Sequence, residues 1–248
     1  MLRKVTDGTI KVKECGRAVS ERKDDPRDDR RLLAALALLT FATGLIDAAS
    51  VLGLRHVFTA NMTGNVVFLG FALAHAGSAT ATDCLLALAA FLAGATLGGR
   101  LGTKGVSFTA ALMVEVAILA VASALGWAPA GVPRLALVEI SLLALAMGLH
   151  NASVRKLAVP DMTTTVLTLT LTGLAADSSL AGGQNPRLPR RLLGVGLMLL
   201  GALTGALLLR YGLRWPITVA TVVAAGACAV SATQGVTRKA ERGASRLS

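Results

Sequence analysis

Residues 32–54 read Leu32-Leu-Ala-Ala-Leu-Ala-Leu-Leu-Thr40-Phe-Ala-Thr43-Gly44-Leu-Ile-Asp47-Ala-Ala-Ser50-Val-Leu-Gly-Leu54. The stretch holds no Lys or Arg, and as a helix rising about 1.5 Å per residue it crosses the roughly 30 Å hydrocarbon core of a bilayer. Four polar side chains break it. Thr40, Thr43, Asp47 and Ser50 recur at i, i+3, i+7 and i+10, which aligns them on one helical face. Hydrocarbon penalises an unpaired carboxylate or amide by several kcal/mol, so this face must meet protein or a water-filled cavity. A second polar island follows: Asn61-Met62-Thr63-Gly64-Asn65.

Working outward, hydrophobic residues make up 54% of 248 positions and charged residues only 16%, a balance that fits a membrane protein. Ten of the 25 Lys and Arg lie in residues 1–31, so the formal net charge of +11 is largely a tail effect. With 4% aromatic residues and the basic positions confined to tails and loops, the pattern gives no basic folded face for nucleic acid. It fits cytoplasmic flanks under the positive-inside rule instead. Residues 1–31 are too long and, at Asp24, Asp25, Asp28 and Asp29, too acidic for a signal peptide. They read as a disordered basic cytoplasmic tail, residues 32–235 as the transmembrane domain, and residues 236–248 as a second basic tail.

Cys15, Cys84 and Cys228 are far apart, and His56, His75 and His150 fall at no ligand spacing, so neither a metal, a disulfide framework nor any cofactor is indicated. No H-E-x-x-H motif or other zinc-type cluster is present, and no nucleophile is paired with a base, so an intramembrane enzyme is not expected.

Seven further apolar runs follow the first, near 57–77, 84–99, 106–127, 134–151, 161–179, 191–210 and 215–234. The fold class is all-α, a polytopic bundle of six to eight transmembrane segments. Loop charge favours six crossings: with both tails inside, it puts seven of eleven loop Arg and Lys on the cytoplasmic side, whereas eight crossings put four there. Segment length argues for eight, because the runs near 57–77 and 161–179 each offer enough residues to span.

The chain also repeats itself. Gly44, Asp47 and Ala48 match Gly148, Asn151 and Ala152 at an offset of 104; Asn61, Met62, Thr63 and Asn65 match Asp161, Met162, Thr163 and Thr165 at 100; Gly94, Ala95 and Gly98 match Gly201, Ala202 and Gly205 at 107. An internal duplication is expected, with halves at about 32–127 and 134–234. Six crossings would make the halves inverted and eight would make them parallel. The glycine pairs are small-xxx-small patterns that let helices pack closely.

The two segments of disputed length are also the polar ones. Gly64, or Pro160 before the second copy, would permit a broken helix start, and interrupted helices at membrane depth offer free backbone groups as ligands. The candidate substrate-binding residues are therefore Asp47, Ser50, Asn61, Thr63, Asn65, Asn151, Asp161, Thr163 and Thr165. The competing reading is that these groups bond neighbouring helices. Glu115, mid-segment in the fourth run, reads either as a proton-linked carboxylate or as the partner of Arg134 or a hydroxyl; His150 reads as an interhelical histidine.

Gly44-Leu-Ile-Asp47-Ala-Ala-Ser50 together with Phe58-Thr-Ala-Asn61-Met-Thr63-Gly64-Asn65 resembles the signature of the YoaK-like bacterial membrane proteins, a family of unknown function. The likeness spans residues 32–235 in segment layout. It implies a polytopic inner-membrane protein and carries onto Asp47, Asn61, Thr63, Gly64 and Asn65; the charged tail before residue 32 departs from the compact family layout. The expected function is a small-solute transporter or permease, with the bilayer and a small molecule or ion as partners and oligomerisation left open. The alternative is a non-transporting scaffold or sensor.

Overall fold

The computed structural model describes residues 26–127, 133–157 and 167–244, and all of its regular structure is helical. Helix α1 (Pro26–Ala48) runs on into a π-helical turn, Ala49–Leu54; then come α2 (Met62–Leu73), α3 (Ala81–Thr103), α4 (Phe108–Leu125), α5 (Pro133–Leu157), α6 (Leu167–Ala176), α7 (Leu188–Leu208) and α8 (Arg214–Ala244). Two starts carry side-chain caps. The Thr80 hydroxyl accepts from the Asp83 amide and donates to the Asp83 carboxylate at 2.6 Å, and Ser107 accepts from Ala110 N, each filling an N–H the first helical turn leaves open.

Among the described residues six helices are long and apolar enough to cross a membrane: Arg30–Leu54, Ala81–Thr103, Phe108–Leu125, Arg134–Leu157, Leu188–Tyr211 and Arg214–Thr233. The two disputed runs behave differently. Only 12 residues of the first are helical in α2, about 18 Å of helix against the roughly 30 Å of hydrocarbon, and the described part of the second holds the 10 residues of α6. The expectation from run length that these segments could span is thus corrected for the first: residues 55–61 are spent on a non-helical return. Residues 161–166 of the second lie outside the described residues.

The long helices form two sheaves that interlock the two halves of the chain. Helix α1 lies between α7 and α8, α5 lies between α3 and α4, and α4 against α8 joins the sheaves. The buried centre is aliphatic, with Leu39, Leu45 and Ile46 of α1, Leu112 and Leu119 of α4, Leu143 and Met147 of α5, and Ile217 of α8.

Glycines set the closeness within each sheaf. Positions 94 and 98 of α3 lie on the backbone of α5, where a Cβ would strike the carbonyls of Leu145 and Leu149, and Gly148 of α5 lies reciprocally on Phe91 and Ala95. In the other sheaf Gly201 and Gly205 of α7 lie on the carbonyls of Phe41 and Leu45, while Gly44 of α1 lies on Met198 and Ala202. Every one of these contacts recurs at the offsets found in the sequence, 107 for the α3 and α7 partners and 104 for the α1 and α5 partners.

Candidate functional site

The polar face of α1 points inward as its spacing requires, with Thr40, Thr43, Asp47 and Ser50 all buried. Three of the four settle locally. Thr40 and Thr43 donate to the carbonyls of Leu36 and Leu39 at 2.8 Å, and Ser50 donates to the carbonyl of Asp47 at 3.1 Å. Asp47 reaches further. Its Oδ1 accepts from the backbone amides of Thr59 at 3.1 Å and Ala60 at 2.9 Å, and from the Thr59 hydroxyl at 3.5 Å.

Those bonds fix the path of the chain. Asp47 lies seven residues, about 10 Å of helix, before the end of the π-helical turn at Leu54. For Thr59 and Ala60 to meet it, residues 55–60 must double back along α1. His56 makes the reversal with a left-handed backbone, φ 59°, uncommon outside glycine. Helix α2 thus starts beside the last turn of α1, about 10 Å short of the end of the π-helical turn.

The residues of Asn61-Met62-Thr63-Gly64-Asn65 divide between the frame and the cavities. Asn65 is fully buried; its Oδ1 accepts from Phe58 N at 2.8 Å and its Nδ2 donates to Phe58 O at 2.6 Å, clamping the returning strand to α2, with Met62 Sδ a further acceptor at 3.5 Å. Gly64 sits inside the first turns of α2, and its missing side chain makes room for the Phe58 ring, which stacks on Phe68 with centroids 5.6 Å apart. Asn61, at the N-cap position, makes no capping bond with its side chain, and both it and Thr63 are exposed.

Asn61 and Thr63 form a wall shared by two cavities. The larger, about 830 Å³, is lined by Asn61, Thr63, Phe91, Asn151, Arg155 and Lys156 among others. The smaller, about 440 Å³, is lined by Thr43, Asp47, Asn61, Thr63, Thr168 and Met198 with their neighbours. Asp47, Asn61, Thr63 and Asn151 are thereby brought to cavity surfaces, whereas Ser50 and Asn65 stand behind the wall as supports. Asn151 also donates to Met147 O at 2.8 Å. Asp161, Thr163 and Thr165 lie outside the described residues.

Sequence reasoning missed three features. Glu115 of α4 meets His150 of α5: Nδ1 stands 3.1 and 3.2 Å from the two carboxylate oxygens, and both side chains are 1% exposed. The partners are 35 residues apart on different helices, beyond any spacing rule; the available signal was an acid and a histidine each stranded in apolar sequence. Arg55 and Asp83 form an ion pair with 2.7 Å between Nε and Oδ1, a contact without hydrogen-bond alignment that ties the π-helical turn to the start of α3. Arg191 of α7 binds Asp177 at 2.7 Å and Gly173 O at 2.6 Å, anchoring α6. Among the described residues no group of three or more His, Cys, Asp or Glu could hold a metal ion.

The chain matches, over residues 35–232, the model of a family described as protein of unknown function (DUF1275). It is also 37% identical over 150 residues to the UPF0700 transmembrane protein YoaK of Bacillus subtilis (strain 168); the match takes in 58% of this chain and 66% of that relative, just under two thirds of its length. No solved structure matches.

Proposed function

The chain belongs to the DUF1275 family of transmembrane proteins of unknown function, and from that premise we propose that it is a non-enzymatic permease or secondary transporter for a small solute. The observation that carries this reading is the half-length helix α2, turned back against Asp47 so that Asn61 and Thr63 stand between two cavities. Non-helical backbone at membrane depth is tolerated where it is buried in protein or lines a cavity, and interrupted helices of this kind are where transporters hold solutes. In this reading Asn61, Thr63 and Asn151 contact the solute and Asp47 supplies charge, while Asn65 and Ser50 hold the frame. The protein sits in the bacterial inner membrane with both termini cytoplasmic. The matched glycine contacts support an internal duplication, and three crossings per half make its halves inverted.

A scaffold or sensor is the second reading, favoured by the bonds that Thr40, Thr43, Ser50 and Asn65 make inside the protein. A thermal-stability screen of the purified protein against many metabolites, followed by uptake in proteoliposomes, separates the two. A transporter yields a stabilising, transported solute whose effect is lost in Asn61→Ala and Thr63→Val. These side chains are exposed, so neither change disturbs the fold. Transport undiminished in both variants would refute the site, and a scaffold would yield no transported solute.

A further inference from the structure

We propose that Asp47 is the anchor of a binding site for a singly charged cation in the smaller cavity, a reading that rests on the transporter assignment and names the charge the site takes. The described helices bury four acids: Asp47, Asp83, Glu115 and Glu139. Asp83 has Arg55 and Glu115 has His150. Among the described residues neither Asp47 nor Glu139 meets a Lys, Arg or His at ion-pair distance, and Asp47 lines a cavity.

The two oxygens of Asp47 are unlike. Oδ1 is committed to the amides of Thr59 and Ala60, which fix the carboxylate's orientation. Oδ2 is buried and accepts no hydrogen bond from the described residues, on a side chain only 5% exposed. A carboxylate removed from water and left without a positive partner is strongly disfavoured, and amide dipoles offset only part of its charge. The cavity offers further oxygen donors. Thr43 gives its proton to Leu39 O, which leaves its lone pairs for a cation, and Asn61, Thr63 and Thr168 line the same space. One carboxylate among neutral oxygens balances one positive charge, and the described lining has no imidazole or thiolate to favour a transition metal.

The other half of the chain shows that the charge is not a packing requirement. Asn151 occupies the matching position on α5 and satisfies its amide on Met147 O, one turn back. Asp47→Asn keeps the oxygen that Thr59 and Ala60 need and offers its new amide the carbonyl of Thr43, the corresponding acceptor. It removes the charge and spares the fold.

The test is the unfolding midpoint of the full-length protein in nanodiscs, titrated with NaCl, KCl, ammonium chloride or methylammonium chloride at constant ionic strength set by N-methyl-D-glucamine chloride. A bound cation raises the midpoint saturably. The sodium and potassium arms report an inorganic ion, and the ammonium arms report the amine of a solute. The shift disappears in Asp47→Asn and persists in Glu139→Gln. Should Asp47→Asn not fold, the isosteric Thr43→Val raises the half-saturating concentration several-fold. No cation-specific shift in wild type, an equal shift in Asp47→Asn, an unchanged half-saturation in Thr43→Val, or a dependence on pH alone each overturns the proposal. Because the measurement is made at equilibrium, cation binding without solute flux sinks the transporter reading and leaves this one standing. Solute flux indifferent to cations and to Asp47→Asn does the reverse.

Discussion

Helix α7 carries its own control for the packing argument. Gly201 and Gly196 are five residues apart on the same helix, yet a Cβ at 201 would meet the carbonyl of Phe41 and the Cα of Gly44, whereas a Cβ at 196 meets nothing within 4 Å. Replacing either by Ala gains helix propensity, about 1 kcal/mol. At 196 that gain stands alone. At 201 the obstacle is backbone on a helix that cannot rotate aside, so α1 and α7 must separate; overpacking of this kind costs about 1–3 kcal/mol, and the separation also loosens the Gly44 contact beside it. The net expectation is about 0 to 1 kcal/mol of stabilisation for Gly196→Ala and about 0 to 2 kcal/mol of destabilisation for Gly201→Ala. Gly94→Ala, which meets Leu145 in the same way, should match Gly201→Ala in sign and rough size. Reversible unfolding in mixed micelles, with denaturant fraction as the variable, reads all three. If Gly201→Ala proved as stable as Gly196→Ala, the close approach of α1 and α7 would be wrong, and with it the interlocked arrangement of the halves.

Asn65→Ala leaves the amide and carbonyl of Phe58 unpaired in a part-buried setting, where an unsatisfied group costs about 1–3 kcal/mol when fully buried, and the same unfolding assay should register a loss of at least about 1 kcal/mol. A double-mutant cycle with Glu115→Gln and His150→Gln should return a coupling of about 0.5–3 kcal/mol; additive single effects would show that the pair does not interact. With the native cysteines replaced, a cysteine at Ser78 and one at Gln184 should label from opposite sides of the membrane, because the long helices α3, α4 and α5 lie between them; labelling from one side would require α6 to cross.

Local signals made the long helices legible. Runs of Leu, Ala and Val with few charges fix six of the eight elements, and the inward face of α1 follows from the spacing of Thr40, Thr43, Asp47 and Ser50, because a helix has one period and a bilayer tolerates few unpaired polar groups. Length misled at residues 57–77. A run of that size can span, and what prevents it is the tie between Asp47 and the amides of Thr59 and Ala60, a contact between main chain and a side chain 12 residues earlier that no hydropathy window contains. The charge of the flanking loops, a long-range bias rather than a local one, had already favoured six crossings.

The site was legible as a location and less so as a set of roles. Asn61 and Asn65 are the same residue type four apart, so sequence alone offers no ground for separating them. The structure separates them through Phe58, whose backbone occupies both polar ends of Asn65 and leaves Asn61 to the cavities. The same ties define what can move. Residues 58–60 are bonded to α1 through Asp47 and to α2 through Asn65, so a displacement of α2 that keeps the Asn65 clamp must break the bonds to Asp47. A ligand that strengthens or replaces those bonds at Asp47 therefore acts directly on the position of Asn61 and Thr63. That links occupancy of the smaller cavity to the shape of the larger one, since both residues line both.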